Sequence, residues 1–165
     1  MQIFKKRHPA DYLLYSAIIL GVIILDMLTK VLALKFLRPI GSVPVIKGVI
    51  HLTYVENKGA AFGILSGHRW VFLVVSTLTI LAFTLYLYLG HAENRLYAVS
   101  LSLISAGGIG NMIDRLALGY VVDFIDFALI DFAVFNVADS FVCIGAGILI
   151  LALILDLKKE ATKKK

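Results

Sequence analysis

Trp70-Val71-Phe72-Leu73-Val74-Val75-Ser76-Thr77-Leu78-Thr79-Ile80-Leu81-Ala82-Phe83-Thr84-Leu85-Tyr86-Leu87-Tyr88-Leu89 contains no charged residue and ends at Gly90-His91. About 20 residues at 1.5 Å per residue match a hydrocarbon core roughly 30 Å thick. This stretch therefore reads as a membrane-spanning helix. Two similar runs follow: residues 96–118, rich in small side chains, and residues 137–157, apolar after the first few positions. The N-terminal run is less uniform. Residues 13–25 are apolar apart from Ser16 and carry one glycine, Gly21. Asp26 and Lys30 interrupt, and the apolar character resumes over residues 31–37. Basic Lys5-Lys6-Arg7 before a short apolar run also fits a secretory signal peptide. No small-x-small cleavage site follows, however, and a retained span is expected.

Composition supports the same class. Of 165 residues, 60% are hydrophobic and 16% charged, with mean hydropathy +0.92. A soluble domain carries about 45–50% apolar and about 25% charged residues. A chain this short could not hide the excess in one core. Disorder, a disulfide scaffold and a soluble enzyme are thereby excluded. The net charge of +5 does not suggest nucleic acid. Much of it sits at the ends, in Lys5, Lys6, Arg7 and in Lys158, Lys159, Lys163, Lys164, Lys165. That is the positive-inside pattern, and it also suits anionic lipid headgroups. The lone Cys143 can form no internal disulfide.

The expected architecture is an all-α membrane protein forming one polytopic domain over residues 1–165. Four transmembrane helices fall at about 12–37, 70–89, 96–118 and 137–157, with both termini cytoplasmic. A small extracytoplasmic β-sheet is expected between helices 1 and 2, at about 40–68. Within it Ile50, Leu52 and Tyr54 alternate against Val49, His51, Thr53 and Val55, a strand period. Asn57-Lys58-Gly59 reads as a turn. A second outer loop covers about 119–136, where Phe124, Phe127, Phe132 and Phe135 are expected at the membrane interface.

Charged residues near spans are the informative ones, since a mid-bilayer carboxylate costs about 2.5–3.5 kcal/mol on insertion scales. Asp26 and Lys30 share a helix face in the favoured order, and a self-neutralising structural pair is the simplest reading. Asn111, Asp114 and Arg115 at the outer end of the third span form either a polar knot that caps the helix or a substrate-positioning group. Ser102, Ala106 and Gly110 lead to Asp114 at intervals of four, a small-residue ridge that brings Asp114 against another helix. Asp126 and Asp131 look like loop surface.

Asp123 follows the third span and Asp139 opens the fourth. Alone, Asp123 could be a solvated loop residue. Asp139 could be the third helical position of a cap begun by Asn136. If the helix ends adjoin, the two carboxylates face each other and share a proton. One then activates water and the other protonates the carbonyl oxygen or leaving amine, with no metal and no cofactor. At a helix N-terminus Asp139 meets the positive end of the dipole, so the shared proton is expected on Asp123. There is no HExxH, His8, His51, His68 and His91 are scattered, and Ser140 has no obvious Lys or His partner.

Five segments, in order, resemble the lipoprotein signal peptidases, or signal peptidase II. They are Asp26-Met27-Leu28-Thr29-Lys30, then Asn57-Lys58-Gly59-Ala60-Ala61-Phe62-Gly63, then Gly107-Gly108-Ile109-Gly110-Asn111-Met112-Ile113-Asp114-Arg115. Gly119-Tyr120-Val121-Val122-Asp123-Phe124 and Phe135-Asn136-Val137-Ala138-Asp139-Ser140 complete the set. The resemblance implies that Asp123 and Asp139 are the catalytic pair of an aspartic endopeptidase. It implies that Asn57, Gly59, Asn111, Arg115 and Asn136 line or support the site, with Asp26, Lys30 and Asp114 as structural polar residues. It further implies a diacylglyceryl-modified prolipoprotein substrate, cut just before the lipidated cysteine, and inhibition by globomycin-type cyclic peptides. The location implied is the bacterial cytoplasmic (inner) membrane, with the site on the extracytoplasmic side. Membrane lipid is the surrounding partner, and a monomer is expected. Family members often carry a proline before the Phe-Asn-x-Ala-Asp segment. Here Ile130-Asp131-Phe132-Ala133-Val134-Phe135 has none, which leaves the shape of the second outer loop open. Two other functions compete: an ion-coupled transporter with Asp26, Lys30, Asp114 and Arg115 as a relay, and an assembly protein whose polar residues only glue helices.

Overall fold

The computed structural model describes residues 8–59, 69–90, 92, 94–130 and 132–163. Lys5, Lys6, Arg7, Lys164, Lys165, residues 60–68 with the Ala60-Ala61-Phe62-Gly63 motif and His68, and also His91 and Asp131, lie outside the described residues.

Four long helices dominate: α1 (Pro9–Leu32), α2 (Arg69–Tyr88), α3 (Arg95–Ala117) and α4 (Val137–Lys163). All four are long and apolar enough to cross a membrane. Their ends are set by local chemistry. His8 accepts from Ala10 N at the start of α1, with Pro9 just inside the helix. Asn94 Oδ1 accepts from Tyr97 N at 3.0 Å and caps α3. After Leu32 the chain widens into a π-helical turn, Ala33–Leu37, closed by Arg38 N donating to Ala33 O, which ends the first apolar run.

α3 is the central helix and packs on α1, α2 and α4, most extensively on α4. Its small side chains make this possible. Leu103 and Ala106 pack with Val22 of α1, and Asp114 meets Lys30 of α1, so the small-residue ridge faces the first helix. A Cβ on Gly110 would stand 2.5 Å from Asp26 Oδ2. A Cβ on Gly107 would overlap the Ala138 carbonyl of α4 and lie 2.7 Å from Val142 Cγ2. The other three helices turn many apolar side chains outward, among them Leu13, Trp70 and Ile150. In a bilayer these face lipid, and packing between spans must come from close fit rather than from exclusion of water.

At one end of the bundle sits a three-stranded antiparallel sheet in the order β1 (Ser42–Ile46), β2 (Ile50–Asn57), β3 (Val121–Asp126). The first two strands form the sheet between helices 1 and 2. The third comes from the connection between α3 and α4, which the sequence reading treated as an apolar loop. Its fully buried start, Val121 to Phe124, carries no alternation to betray it. The reading of Phe124 as an interface residue is corrected with it: the ring is buried among Ala33, Leu37 and Val122. Asp126, expected at the surface, is half-buried and accepts a 2.7 Å bond from Thr53 Oγ1.

Gly119, at φ 88°, makes the turn from α3 into β3. Its N–H and that of Leu118 both donate to Asp114 O, closing the helix end. Past β3 the chain returns: Phe135 N donates to Ile125 O, and Phe135 O accepts from the N–H groups of Phe124 and Ile125. The first turn of α4 is thereby laid beside β3. Gly107→Ala should lower stability by about 1–3 kcal/mol, because the new methyl meets a backbone carbonyl that cannot rotate away. A lower midpoint of thermal unfolding in detergent would show it.

Candidate active site

The site grows from the place where α1, α3, β3 and α4 converge. β2–β3 pairing sets Asp123 opposite Val55 and Val121 opposite Asn57. Asn57 thus lies on the same face of the sheet, and its Nδ2 donates to Asp123 Oδ2 at 2.9 Å. Asn57 Oδ1 accepts from Gly59 N at 2.9 Å, an Asx turn that ends the strand.

Asn136 and Asp139 cap α4 reciprocally. Asn136 Oδ1 accepts from Asp139 N at 2.9 Å, and Asp139 Oδ2 accepts from Asn136 N at 3.1 Å. The cap also bridges the two acids, because Asn136 Nδ2 donates to Asp123 Oδ1 at 2.6 Å. Asn111 supplies the second bridge: its Nδ2 donates to Asp139 Oδ1 at 2.7 Å and its Oδ1 accepts from Asn136 Nδ2 at 3.0 Å.

Behind this layer lies a buried ion cluster. Lys30 Nζ is 2.8 Å from Asp26 Oδ2, 3.0 Å from Asp114 Oδ2 and 3.0 Å from Asn111 Oδ1. Asp26 Oδ1 accepts from Ala138 N at 2.9 Å and Asp114 Oδ2 from Val122 N at 3.0 Å. One carboxylate therefore holds the start of α4 and the other the start of β3. The Asp26–Lys30 pair exists as read from its spacing, but it is half of a larger device. The other half, Asp114 and Asn111, reads in the sequence as a separate polar knot. Only tertiary packing joins the two. Helical spacing puts Asn111 on one face with Asp114 or Arg115. Its backbone carbonyl takes Arg115 Nη1 at 3.3 Å, while Arg115 Nη2 donates to Gly59 O at 3.2 Å. The guanidinium also lies over the Phe72 ring, 5.1 Å from its centroid. Nothing in the sequence singled out Phe72, one apolar residue in a wholly apolar run.

Asp123, Asp139, Asn57, Arg115, Phe72 and Phe132 line a cleft of about 480 Å³, whose remaining walls are mostly hydrocarbon. Asp123 is buried and Asp139 half-buried. Burial first, and then the negative charge of Asp139, push the Asp123 carboxyl up to about 7. The bonds from Asn57 and Asn136 and the charge of Lys30 oppose the rise. Among the described residues, no three His, Cys, Asp or Glu side chains are grouped to hold a metal ion. All of Asn57, Gly59, Asn111, Arg115 and Asn136 fall within this one network.

The family model described as Signal peptidase (SPase) II matches residues 18–155. The chain belongs to that family. A lipoprotein signal peptidase of Caldanaerobacter subterraneus subsp. tengcongensis is 54% identical over 132 residues, 80% of this chain and 90% of its own length. One from Halalkalibacterium halodurans is 39% identical over 155 residues, covering 93% and 99%. A solved structure described as a bacterial membrane enzyme, determined by the in meso method at 2.3 Å, superposes with a TM-score of 0.83 at 35% identity, covering 95% of each chain. A second, at 1.9 Å, gives 0.78 at 36% identity. Membership makes the chain a signal peptidase II, an aspartic peptidase of the multi-pass membrane class, and sets aside the transporter and assembly readings.

The raised Asp123 carboxyl has a direct spectroscopic consequence. A protonated carboxyl stretch should be present at pH 6, fade as pH rises through about 7, and be missing from Asp123→Asn in infrared difference spectra.

Proposed function

We propose that Asp123 and Asp139 form the catalytic dyad and that the substrate is a prolipoprotein whose cysteine already carries a diacylglyceryl group. The observation that carries this reading is the double bridge through Asn136. One residue donates to both acids, and both acids open onto one cleft.

Asp139 acts first as the base. It takes a proton from a water held between the acids while the water oxygen attacks the carbonyl carbon of the residue before the lipidated cysteine. The Asp123 proton passes to the carbonyl oxygen, giving a neutral gem-diol. On collapse, Asp123 recovers a proton from one hydroxyl and Asp139 gives its proton to the cysteine nitrogen as the C–N bond breaks. The products are a signal peptide with a new carboxyl end and a lipoprotein beginning with the modified cysteine. Both acids end as they began, so one proton on the pair suffices. Asn57 and Asn136 hold Asp123 in place, and Asn111 and the Asn136 N–H hold Asp139.

The substrate fits the setting. An acyl chain gains about 0.8 kcal/mol per buried methylene, so the modified cysteine stays at the membrane. Phe72, Val142 and the aromatic side chains of residues 127–135 offer hydrocarbon walls beside the acids. In the second outer loop, Phe127 and Phe132 each pack on Phe135, with ring centroids 5.3 and 6.0 Å apart. Leu129 and Ile130 on the same loop are exposed apolar side chains suited to the interface. Lys158, Lys159 and Lys163 end α4 at the pole away from the sheet. That supports cytoplasmic termini and an extracytoplasmic site in the bacterial cytoplasmic membrane. A monomer suffices, since every group in this reading comes from one chain.

With a diacylglyceryl-modified prolipoprotein in detergent, Asp123→Asn and Asp139→Asn should each cut turnover by about 10²–10⁴-fold or more while the protein still inserts. Full turnover in either variant would end the proposal. Unmodified prolipoprotein should be a poor substrate, chelators should have no effect, and globomycin should inhibit. Because the reaction uses the proton on Asp123, kcat/KM should fall as pH rises through about 7. A rate flat from pH 5 to 9 contradicts the assignment.

A further inference from the structure

Lys30 does more than neutralisation requires. Two carboxylates, Asp26 and Asp114, already face its ammonium at 2.8 and 3.0 Å. It also donates a hydrogen bond to a neutral amide, Asn111 Oδ1, at 3.0 Å. That choice has a direction. With Lys30 and Asn136 Nδ2 both donating to Asn111 Oδ1, only the Nδ2 end of Asn111 is left for Asp139. Turning the amide over would set its NH₂ against an ammonium inside a buried site. Asn136 is fixed in turn: its Nδ2 bonds Asn111 Oδ1 and Asp123 Oδ1, and its Oδ1 accepts from Asp139 N.

We propose that Lys30 is a positioning residue for the dyad. By locking the Asn111 amide, it fixes the donors that Asp139 receives directly and that Asp123 receives through Asn136. The inference rests on the reading of Asp123 and Asp139 as the catalytic acids.

The charges that bear on Asp123 come from each neighbouring element. Asp139 acts from α4, Arg115 from α3, and Lys30 from α1, the last paired with Asp26 and Asp114. β2 contributes neutral Asn57, while its Glu56 turns away to Arg38 and Tyr54. Lys30 opposes the upward push on Asp123. Removing the ammonium should therefore leave Asp123 protonated to higher pH. Neutralising Asp26, which partly cancels the ammonium, should do the reverse.

The test is the pH dependence of kcat and of KM in the full chain, with lipid-modified prolipoprotein as substrate. Lys30→Met alone would strand buried carboxylates, so it is paired with Asp26→Asn. Lys30→Met/Asp26→Asn should lower kcat about tenfold or more, leave KM within about twofold because Lys30 touches no substrate, and move the descending limb upward by about half a pH unit. Asp26→Asn alone keeps an acceptor for Ala138 N and should move the limb downward. Lys30→Arg, which retains the charge, should keep the limb in place. A limb that stays put in both the double variant and Asp26→Asn overturns the inference, even where kcat falls. If the double variant does not insert, the downward shift in Asp26→Asn decides alone. A wild-type profile with no limb near neutrality refutes the dyad reading itself, whereas a wild-type limb that ignores these substitutions refutes only the role of Lys30.

Discussion

A single ammonium buried between two helices organises this molecule. Lys30 is almost wholly buried, and a lone charge in such a place would cost several kcal/mol. Its ammonium is therefore paired with the carboxylates of Asp26 and Asp114 and hydrogen-bonded to Asn111. Those partners in turn hold Ala138 N, Val122 N and Asp139. The first helix, the third helix, the third strand and the start of the fourth helix are thus joined by directional bonds at one spot. In lipid, where apolar side chains have little reason to prefer protein over acyl chain, such bonds can decide which helices meet and in what register.

The backbone had to be cleared for this. Gly107 and Gly110 let α4 and Asp26 approach α3 closer than any side chain would allow. Gly119 lets α3 close on Asp114 and the chain leave in the direction of β3. Asp114 thereby serves both as partner to Lys30 and as the peg for the strand that carries Asp123. A polar cluster that looks like an insertion device is also the scaffold of the site.

Much of this was legible in order of how local it is. The spans follow from length and composition, the cap from Asn136 and Asp139 three apart, the turn from Asn57 to Gly59, and the Asp26–Lys30 pair from a spacing of four. The hairpin strand 50–57 announced itself by alternation. Its neighbour β3 did not, because Val121 to Phe124 is buried on both faces and reads as a short apolar run. The same burial took Phe124 away from the interface. The link from Lys30 to Asp114 and Asn111 spans eighty residues or so of chain, and no local pattern encodes it. Five ordered motifs nevertheless pointed to the family, and through it to the residues that the network gathers.

One arrangement ties chemistry to backbone. Asp139 lines the cleft, and its Oδ2 accepts the Asn136 N–H that helps begin α4. A neutral carboxyl is a weaker acceptor than an anion. On the proposed mechanism Asp139 is neutral between water attack and amine departure, so the grip on that N–H slackens in the same interval. The cap of a transmembrane helix is then weakest in mid-cycle and regains its strength as the new amine leaves, while Asp26 and Asn136 keep their hold on the N–H groups of Ala138 and Asp139.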